Sequence, residues 1–503
     1  MGKQITTIIR DFSGGISDDI REPSANKFSI SKHFDIFSPH KLSPYRGIED
    51  ESPSAGNAIG NFLHTSLGEL LGLGKVIGYN YPLLYWKTGA NLITDPWGSN
   101  RNNWVGAQGI VQYPLFIEFN SYIYFCSIIT ELNRIVQATV NYTTAALNET
   151  YGTLSAVPTG QGLVHNKAAQ LFIPCGNKID RINSSNVFQA DVAPSISSNL
   201  EITSLSEYGS YLGIGCRNKT GGNSKLIIWD MVSTTTFIDV IDFGSDSLYV
   251  LNNLEGSLIG ISCTPSNIFI ADKAGIVIRQ WAGGKPSTLK EISIPKLGIS
   301  NPSVTIYPRV NFVKDNKLYF SAVISGGSTP SASYIGLFAI GRKNVNYPYA
   351  VTLDRFATND NSETSIIAAI IAGGICWTVH TAEGTVTRTN DQSEFLAISI
   401  YESQIFDGRI HEYDASFVKN LVEASLTCEK LPHLATATLK YRVDGATSWT
   451  TLLTISTETR LSEFINKSIG DYKEIEWRIE SYFGAVITSF SFLEEVIGKK
   501  KQT

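Results

Sequence analysis

The sequence predicts an all-β protein: an irregular β-propeller of six to seven blades, with an extended N-terminal arm and a C-terminal antiparallel β-sandwich. The 503 residues are rich in Tyr, Phe and Gly and only 17% charged, a composition typical of a folded, strand-rich chain. Short apolar runs separated by turn residues recur along the middle of the chain, and alternating hairpin patterns follow near residue 405. We therefore predict an arm over 1–55, a propeller over 56–400 and a sandwich over 401–503.

The propeller prediction rests on a repeat. Apolar or aromatic centres near residues 71, 123, 171, 212, 259, 318 and 375 follow one another at intervals of 41 to 59 residues. Each centre begins a short apolar strand, then a polar or Gly-containing turn, and several show a second strand ending near Arg or Trp. Units of about 40 to 50 residues with several strands each are typical of propellers. The drift in the interval leaves a pair of sandwiches or an irregular β-solenoid as alternatives.

The cysteines support the same repeat. Six Cys lie in or just after apolar runs, and none forms a CxxC pair or has His at ligand spacing, which argues against zinc. Free Cys behaves as a small buried hydrophobe. We therefore expect buried free thiols at a repeated core position, with one repeat lacking its Cys between residues 263 and 376; a disulfide framework is the alternative.

The C-terminal part alternates with period two. Leu439, Tyr441 and Val443 would share one face of a strand, and the Asp-Gly pair that follows is a strong hairpin signal. Further along, Ile475, Trp477 and Ile479 alternate with charged residues. These patterns predict an antiparallel sandwich, a fold that commonly serves in docking.

Composition also narrows the function classes. The net charge of −5 provides no basic field for nucleic acid or anionic lipid. No run of 18 apolar residues occurs, so no membrane-spanning helix is expected, and the first ten residues lack the pattern of a secretory signal.

No catalytic, cofactor-binding or metal-binding residue is predicted. The seven His include no HExxH pair, no Gly-x-Ser-x-Gly elbow occurs, and Val76 follows Lys75 where a phosphate loop needs Ser or Thr. Some propellers are glycosidases with paired acids on inner strands. The acids near blade-like segments are Asp230, Asp272, Asp315 and Asp354. Most are expected in turns, where Asp is favoured for local hydrogen bonding.

The first fifty residues are the most informative. They contain "DFSGGI" at 11–16 and "HFDIFSPHKLSPYRGIEDE" at 33–51. Gly14 and Gly15 would allow positive φ or close backbone approach, and the Phe residues would serve as apolar anchors. Such an arm could add a strand to a neighbouring subunit, or pack across its own propeller and close the ring. The assembly candidates are Phe12, Gly14, Gly15, Pro44, Tyr45 and Arg46.

This N-terminal pattern resembles the start of tailed-bacteriophage virion proteins, in which Phe-x-Gly-Gly-hydrophobic is followed by a short strand and a Pro-Tyr/Arg-Gly-like turn before a β-propeller. The resemblance is to the tail nozzle and related tail or minor structural proteins. It covers roughly the first 50 residues by motif and the rest by architecture, and the chain lacks the large insertions of the best-known nozzles.

The resemblance implies a non-enzymatic virion structural protein, synthesised in the host cytoplasm, that acts as a tail subunit in particle assembly, DNA passage or host contact. Its implied partners are other virion proteins, copies of itself, and passing double-stranded DNA or a host-surface glycan. The alternatives are a carbohydrate- or receptor-binding propeller module, including a glycosidase, and a capsid-attached accessory protein. A WD-like cellular scaffold would need a regular Trp-Asp repeat, which the sequence lacks.

Overall fold

The computed structural model describes residues 3–17, 26–38, 40–45, 48–50, 57–76, 82–87, 98–100, 115–126, 130–137, 149–264, 275–293, 303–325, 334–355, 365–380, 386–389, 398–411 and 417–499. Over these residues the chain consists of β-strands, turns and one short 3₁₀ segment, Arg409–His411, with no α-helix. The all-β prediction is confirmed. In this same part of the chain, no helix is long and apolar enough to cross a membrane.

Six short strands form the N-terminal part of the fold. They are β1 (Lys3–Ile9), β2 (Gly15–Ile16), β3 (Lys27–Lys32), β4 (Phe34–Asp35), β5 (Ser43–Pro44) and β6 (Ile48–Asp50).

Six antiparallel units of four strands follow, called units 1 to 6. Unit 1 contains β7 (Asn57–His64), β8 (Leu70–Val76), β9 (Pro82–Lys87) and β10 (Gly98–Asn100), and unit 2 contains β11 (Leu115–Phe119), β12 (Tyr122–Cys126), β13 (Glu131–Val136) and β14 (Glu149–Thr153). Unit 3 contains β15 (Leu163–His165), β16 (Gln170–Cys175), β17 (Lys178–Ile182) and β18 (Phe188–Gln189), and unit 4 contains β19 (Leu200–Tyr208), β20 (Tyr211–Asn218), β21 (Ser224–Trp229) and β22 (Asp239–Gly244). Unit 5 contains β23 (Ser247–Leu254), β24 (Ser257–Cys263), β25 (Gly275–Trp281) and β26 (Ser287–Ser293), and unit 6 contains β27 (Ser303–Lys314), β28 (Lys317–Ser325), β29 (Tyr334–Gly341) and β30 (Ala350–Arg355).

The next unit differs in the origin of its fourth strand. Unit 7 contains β31 (Ile366–Ala372), β32 (Ile375–His380) and β33 (Val386–Thr389), and β6 from the N-terminal part pairs with β33 as its outer strand. Each of the seven apolar centres predicted from the sequence lies in the second strand of a different unit. The repeat in the sequence is therefore a repeat of second strands.

Neighbouring units pack in chain order. The Ser66 N–H of unit 1 donates a hydrogen bond to Glu118 of unit 2 at 2.6 Å. Leu115 of unit 2 shares an apolar cluster with Leu171 of unit 3. The Phe172 ring of unit 3 packs against Trp229 of unit 4, with ring centroids 5.8 Å apart. Tyr208 of unit 4 packs against Trp281 of unit 5, with ring centroids 5.1 Å apart. Asn252 of unit 5 donates a hydrogen bond to Asn311 of unit 6 at 2.9 Å, and Ser321 of unit 6 donates one to the Ile366 carbonyl of unit 7 at 2.5 Å. Finally, Ile59 and Phe62 of unit 1 share a buried cluster with Trp377 of unit 7, so the last unit lies against the first.

The C-terminal strands form two layers. They are β34 (Ser399–Ser403), β35 (Phe417–Cys428), β36 (Thr436–Val443), β37 (Thr450–Ile455), β38 (Ser462–Asn466), β39 (Ile475–Tyr482) and β40 (Ile487–Lys499). One sheet has the order β1-β40-β35-β38, and the other continues from unit 6 through β3 to β34-β39-β36-β37. Trp477 of the second sheet packs on Phe492 of the first, with ring centroids 5.0 Å apart. The face of β39 that carries Trp477, which the alternating pattern of the sequence marks as apolar, is therefore buried between the two layers.

The prediction of buried free thiols is confirmed, but Cys428 ends β35 and so lies outside the repeated units. All six Cys are free and buried. Those at 126, 175, 216 and 263 lie at or near the end of the second strands of units 2 to 5, and Cys376 lies near the start of the second strand of unit 7. The second strand of unit 6, Lys317–Ser325, carries none, which accounts for the long interval without Cys.

Thiol reactivity tests this arrangement. Burial raises the pKa of Cys126 and of Cys263 to about 12, and it also raises the pKa of Cys175, Cys216 and Cys428. At pH 8 the thiolate fraction of the folded protein is then small, so we expect a colorimetric disulfide reagent to label fewer than about one thiol rapidly. All six should react at once in guanidinium chloride. Rapid labelling of several thiols in the folded protein would contradict this packing.

Candidate functional site

The N-terminal segment 3–50, called here the N-terminal staple, pairs with three other parts of its own chain. β1 runs antiparallel to β40 over seven residue pairs, Lys3 to Ile9. β3 lies between β34 and β30, and so links the C-terminal strands to unit 6. β6 completes unit 7. Of the two hypotheses for the arm, these pairings favour packing across its own fold.

The aromatic anchors of the N-terminal staple are buried inside this fold. The Phe12 side chain is 2% exposed and meets the Tyr401 ring edge-on, with centroids 5.4 Å apart. Phe28 approaches the same ring from 5.6 Å, and Phe34 and Phe37 belong to the same apolar cluster. Tyr401 lies on β34, so these contacts hold the N-terminal staple against the start of the C-terminal strands.

Gly14 and Gly15 meet two separate requirements of the backbone. A Cβ atom on Gly14 would lie 2.5 Å from the Asn26 carbonyl oxygen, which accepts a hydrogen bond from the Gly14 N–H at 2.9 Å. Gly15 has φ of +76°, and a Cβ atom there would lie 2.8 Å from the backbone nitrogen of Val351 in unit 6. The pair thus allows both close approach and positive φ, the two uses expected from the sequence.

Comparing alanine substitutions at Gly15 and at a second glycine should separate the cost of positive φ from the cost of the close approach to Val351. We expect Gly15→Ala to cost about 2 to 4 kcal/mol, because a left-handed conformation and a backbone clash add together. Gly256→Ala is the matched control, since its φ is +83° but no atom lies within 4 Å of the new Cβ. The control should cost only about 1 to 2 kcal/mol in urea unfolding. Equal losses for the two variants would contradict the close approach of Gly15 to unit 6.

The second motif of the N-terminal staple forms a small hairpin. Pro44 pairs with Phe34, and the Tyr45 N–H donates to the His33 carbonyl at 3.0 Å. Burial raises the pKa of Tyr45, and the nearby carboxylates of Asp354 and Asp35 raise it further. Arg46 lies outside the described residues. The tip of the hairpin is fixed to β40 by two backbone hydrogen bonds between Leu42 and Ile487, of 2.8 and 3.0 Å.

A pocket of about 370 Å³ opens among units 4, 5 and 6, near the N-terminal ends of their first strands. Its polar wall consists of Glu201, Arg217 and Tyr249, together with the hydroxyl-bearing Thr159, Thr203 and Thr305. Its apolar wall is Val304, Ile306 and Pro308. This polar and apolar lining is typical of a small-molecule site.

Arg217 is the central charge of this pocket. Its Nε donates to the Glu201 carboxylate, its Nη1 donates to the Tyr249 hydroxyl at 3.2 Å, and its guanidinium lies 5.3 Å from the centre of the Tyr249 ring. Burial tends to lower the pKa of Arg217, but the bonds to Glu201 and Tyr249 outweigh burial and raise it. Burial raises the pKa of Tyr249, and neighbouring Cys263 raises it further. The pocket therefore presents a permanent cation, held by a carboxylate, beside a neutral phenol.

The carboxylates considered from the sequence do not converge. Asp230 accepts hydrogen bonds from the backbone of Val232 and Ser233, and Asp315 has positive φ in the turn between β27 and β28, as expected for turn residues. Asp354 lies on β30 beside Tyr45, and Asp272 lies outside the described residues. Within the described part of the chain, no group of three or more His, Cys, Asp or Glu is placed to hold a metal ion.

Sequence reasoning missed the pocket. Glu201, Arg217 and Tyr249 come from β19, β20 and β23, and no short motif joins them. The one signal in the sequence that could have indicated the pocket is the position of these three residues, because all of them lie in strands near the repeated apolar centres.

Neither a protein-family model nor a curated protein sequence matches this chain. Similar solved structures include the β-propeller domain of Myceliophteria thermophila Cps50 (Swd1), 10% identical over 66% of this chain and 96% of that chain, with a TM-score of 0.41. The WD40 domain of Neurospora crassa Pan2 is 8% identical over 70% of this chain and 96% of that chain, with a TM-score of 0.39. A glycoside hydrolase is 11% identical over 88% of this chain and 98% of that chain, with a TM-score of 0.31. Similarity at these values transfers no function.

Proposed function

We propose that units 1 to 7 form a closed seven-bladed β-propeller, and that the two C-terminal layers form a β-sandwich fixed to it. The order of contacts from unit 1 to unit 7, and the packing of unit 7 on unit 1, support closure. β6 would be the closing strand, because it supplies the outer strand of the last unit from the opposite end of the chain. Closure of this kind protects strand edges.

We further propose that the protein is a non-enzymatic structural subunit of a tailed-bacteriophage virion, acting in the tail in assembly, DNA passage or host contact. The observation that carries this proposal is the N-terminal staple. The segment that resembles virion proteins is the one that pairs with unit 6, unit 7 and the C-terminal layers. A propeller and sandwich tied together in this way suit a rigid building block that contacts other virion proteins and copies of itself.

The chemistry of the pocket also favours a non-enzymatic role. Among the described residues that line it, Glu201 is the only carboxylate, and Arg217 engages it. Glycoside hydrolysis commonly uses a pair of carboxylates, one of them able to act as an acid. The pocket is better suited to holding a ligand than to cleaving one.

Electron microscopy tests the virion role. The full chain is purified, its mass is measured by light scattering, and antibodies against it are used to label tailed particles made by the host that encodes it. We expect gold label at the tail, and a ring of several copies either in solution or in the particle. Label on the capsid would replace the tail role by that of a capsid-attached accessory protein. Unlabelled particles together with a monomeric protein would overturn the proposal.

A second candidate function is that of a receptor- or carbohydrate-binding module. The observation that favours it is the pocket itself, in which an aromatic ring, a guanidinium and hydroxyl groups face one cavity. Such a module could belong to the same particle.

A further inference from the structure

The bonds made by Arg217 leave part of its hydrogen-bonding capacity available. Nε and Nη1 are engaged by Glu201 and Tyr249, and within the described part of the chain Nη2 has no hydrogen-bond partner. The side chain is 36% exposed and lines the pocket. Two anchoring bonds fix the plane of the guanidinium, so a donor edge is held in place at low entropic cost. Such an edge suits an oxyanion.

The remaining walls define the body of the ligand. The Tyr249 ring offers an apolar face, Thr305 is exposed and contributes a hydroxyl, and Val304 and Pro308 bound the cavity. Small-molecule sites span about 300 to 1,000 Å³. A volume of about 370 Å³ lies at the lower end of that range and suits a single ring with its substituents.

We propose that the pocket among units 4, 5 and 6 binds a saccharide-sized ligand that carries one oxyanion, a carboxylate or a phosphate, received by Arg217. This inference rests on the second candidate function, binding at this pocket. The virion role is tested separately by particle labelling, so failure of one proposal leaves the other standing.

Three probes with the same sugar ring test the ligand class: glucuronate, glucose 6-phosphate and glucose. Binding to the full chain is measured by isothermal titration at low and high salt. We expect at least one of the two anionic probes to bind about tenfold more tightly than glucose, with the difference shrinking at high salt. The stronger anionic probe identifies whether a carboxylate or a phosphate is preferred. Equal binding of glucose, or no binding of either anion up to about 20 mM, would overturn the proposal.

Substitutions at the rim locate the binding. Thr305→Glu adds a negative charge at an exposed lining position, and Thr305→Gln is the uncharged control of similar size. We expect the Glu variant to weaken anion binding about fivefold or more and the Gln variant to change it less than about twofold. Arg217→Gln removes the guanidinium that receives the anion and should also weaken binding about fivefold or more. Melting temperatures of all three variants confirm that they fold. Unchanged affinity in Thr305→Glu and Arg217→Gln would overturn the assignment to this pocket.

Discussion

Deleting residues 1–50 is expected to abolish cooperative folding of the chain. The deletion removes β1, β3 and β6, and so exposes the edges of β40, β34, β30 and β33. It also removes four buried Phe side chains, each worth about 3 to 5 kcal/mol. Because a native chain is stable by only about 5 to 15 kcal/mol in total, these losses exceed what the fold can tolerate.

The measurement is circular dichroism during thermal unfolding, with gel filtration of the soluble fraction. The truncated chain should be insoluble or lack a sharp transition. Supplying residues 1–50 as a separate peptide during refolding should restore part of the transition, because the pairing is between strands and needs no covalent link. A soluble, truncated chain with an unchanged melting temperature would show that the N-terminal staple is dispensable for the fold and would return it to the role of an intermolecular arm.

Phe12→Ala is expected to produce the largest single-residue loss among the N-terminal motif positions. Its side chain is 2% exposed and contacts the buried Tyr401 ring, so truncation leaves a cavity between the N-terminal staple and β34. We expect a loss of about 3 to 5 kcal/mol in the free energy of unfolding.

Urea denaturation measures this loss, and Phe464→Ala is the matched control. Phe464 lies on β38 and is 65% exposed, so the same truncation there should change the free energy of unfolding by less than about 0.5 kcal/mol. If both variants lost the same amount, the contact between Phe12 and Tyr401 would not be holding the N-terminal staple in place. A loss confined to Phe12→Ala would show that this end of the chain is part of the core.

Several features of the fold could be predicted from the sequence because they depend on local patterns. The second strands of all seven units coincide with the repeated apolar centres, and the buried cysteines coincide with their apolar runs. Two of the runs that were expected to end near Trp do so: β21 ends at Trp229 and β25 at Trp281, and each indole N–H donates to a carbonyl in the following turn. Asp444 and Gly445 both adopt positive φ, as the turn signal indicates.

The choice of strand partners was decided only by the tertiary structure. A period of two tells which face of β1 or β6 is buried, but it carries no information on which distant strand lies alongside. β6 pairs with β33, more than 300 residues away, and β3 joins unit 6 to the C-terminal strands in one sheet.

The pocket is likewise a product of tertiary structure. Glu201, Arg217 and Tyr249 meet because β19, β20 and β23 lie side by side at one end of their units, and Pro308 reaches the same cavity from an interruption in the pairing of β27. The strand class, the repeat and the buried cysteines could be predicted from the sequence alone, since each follows from local hydrophobic pattern and turn chemistry. Pairing across long separations, and the site that it creates, depend on which strand edges meet, and only the folded chain decides that.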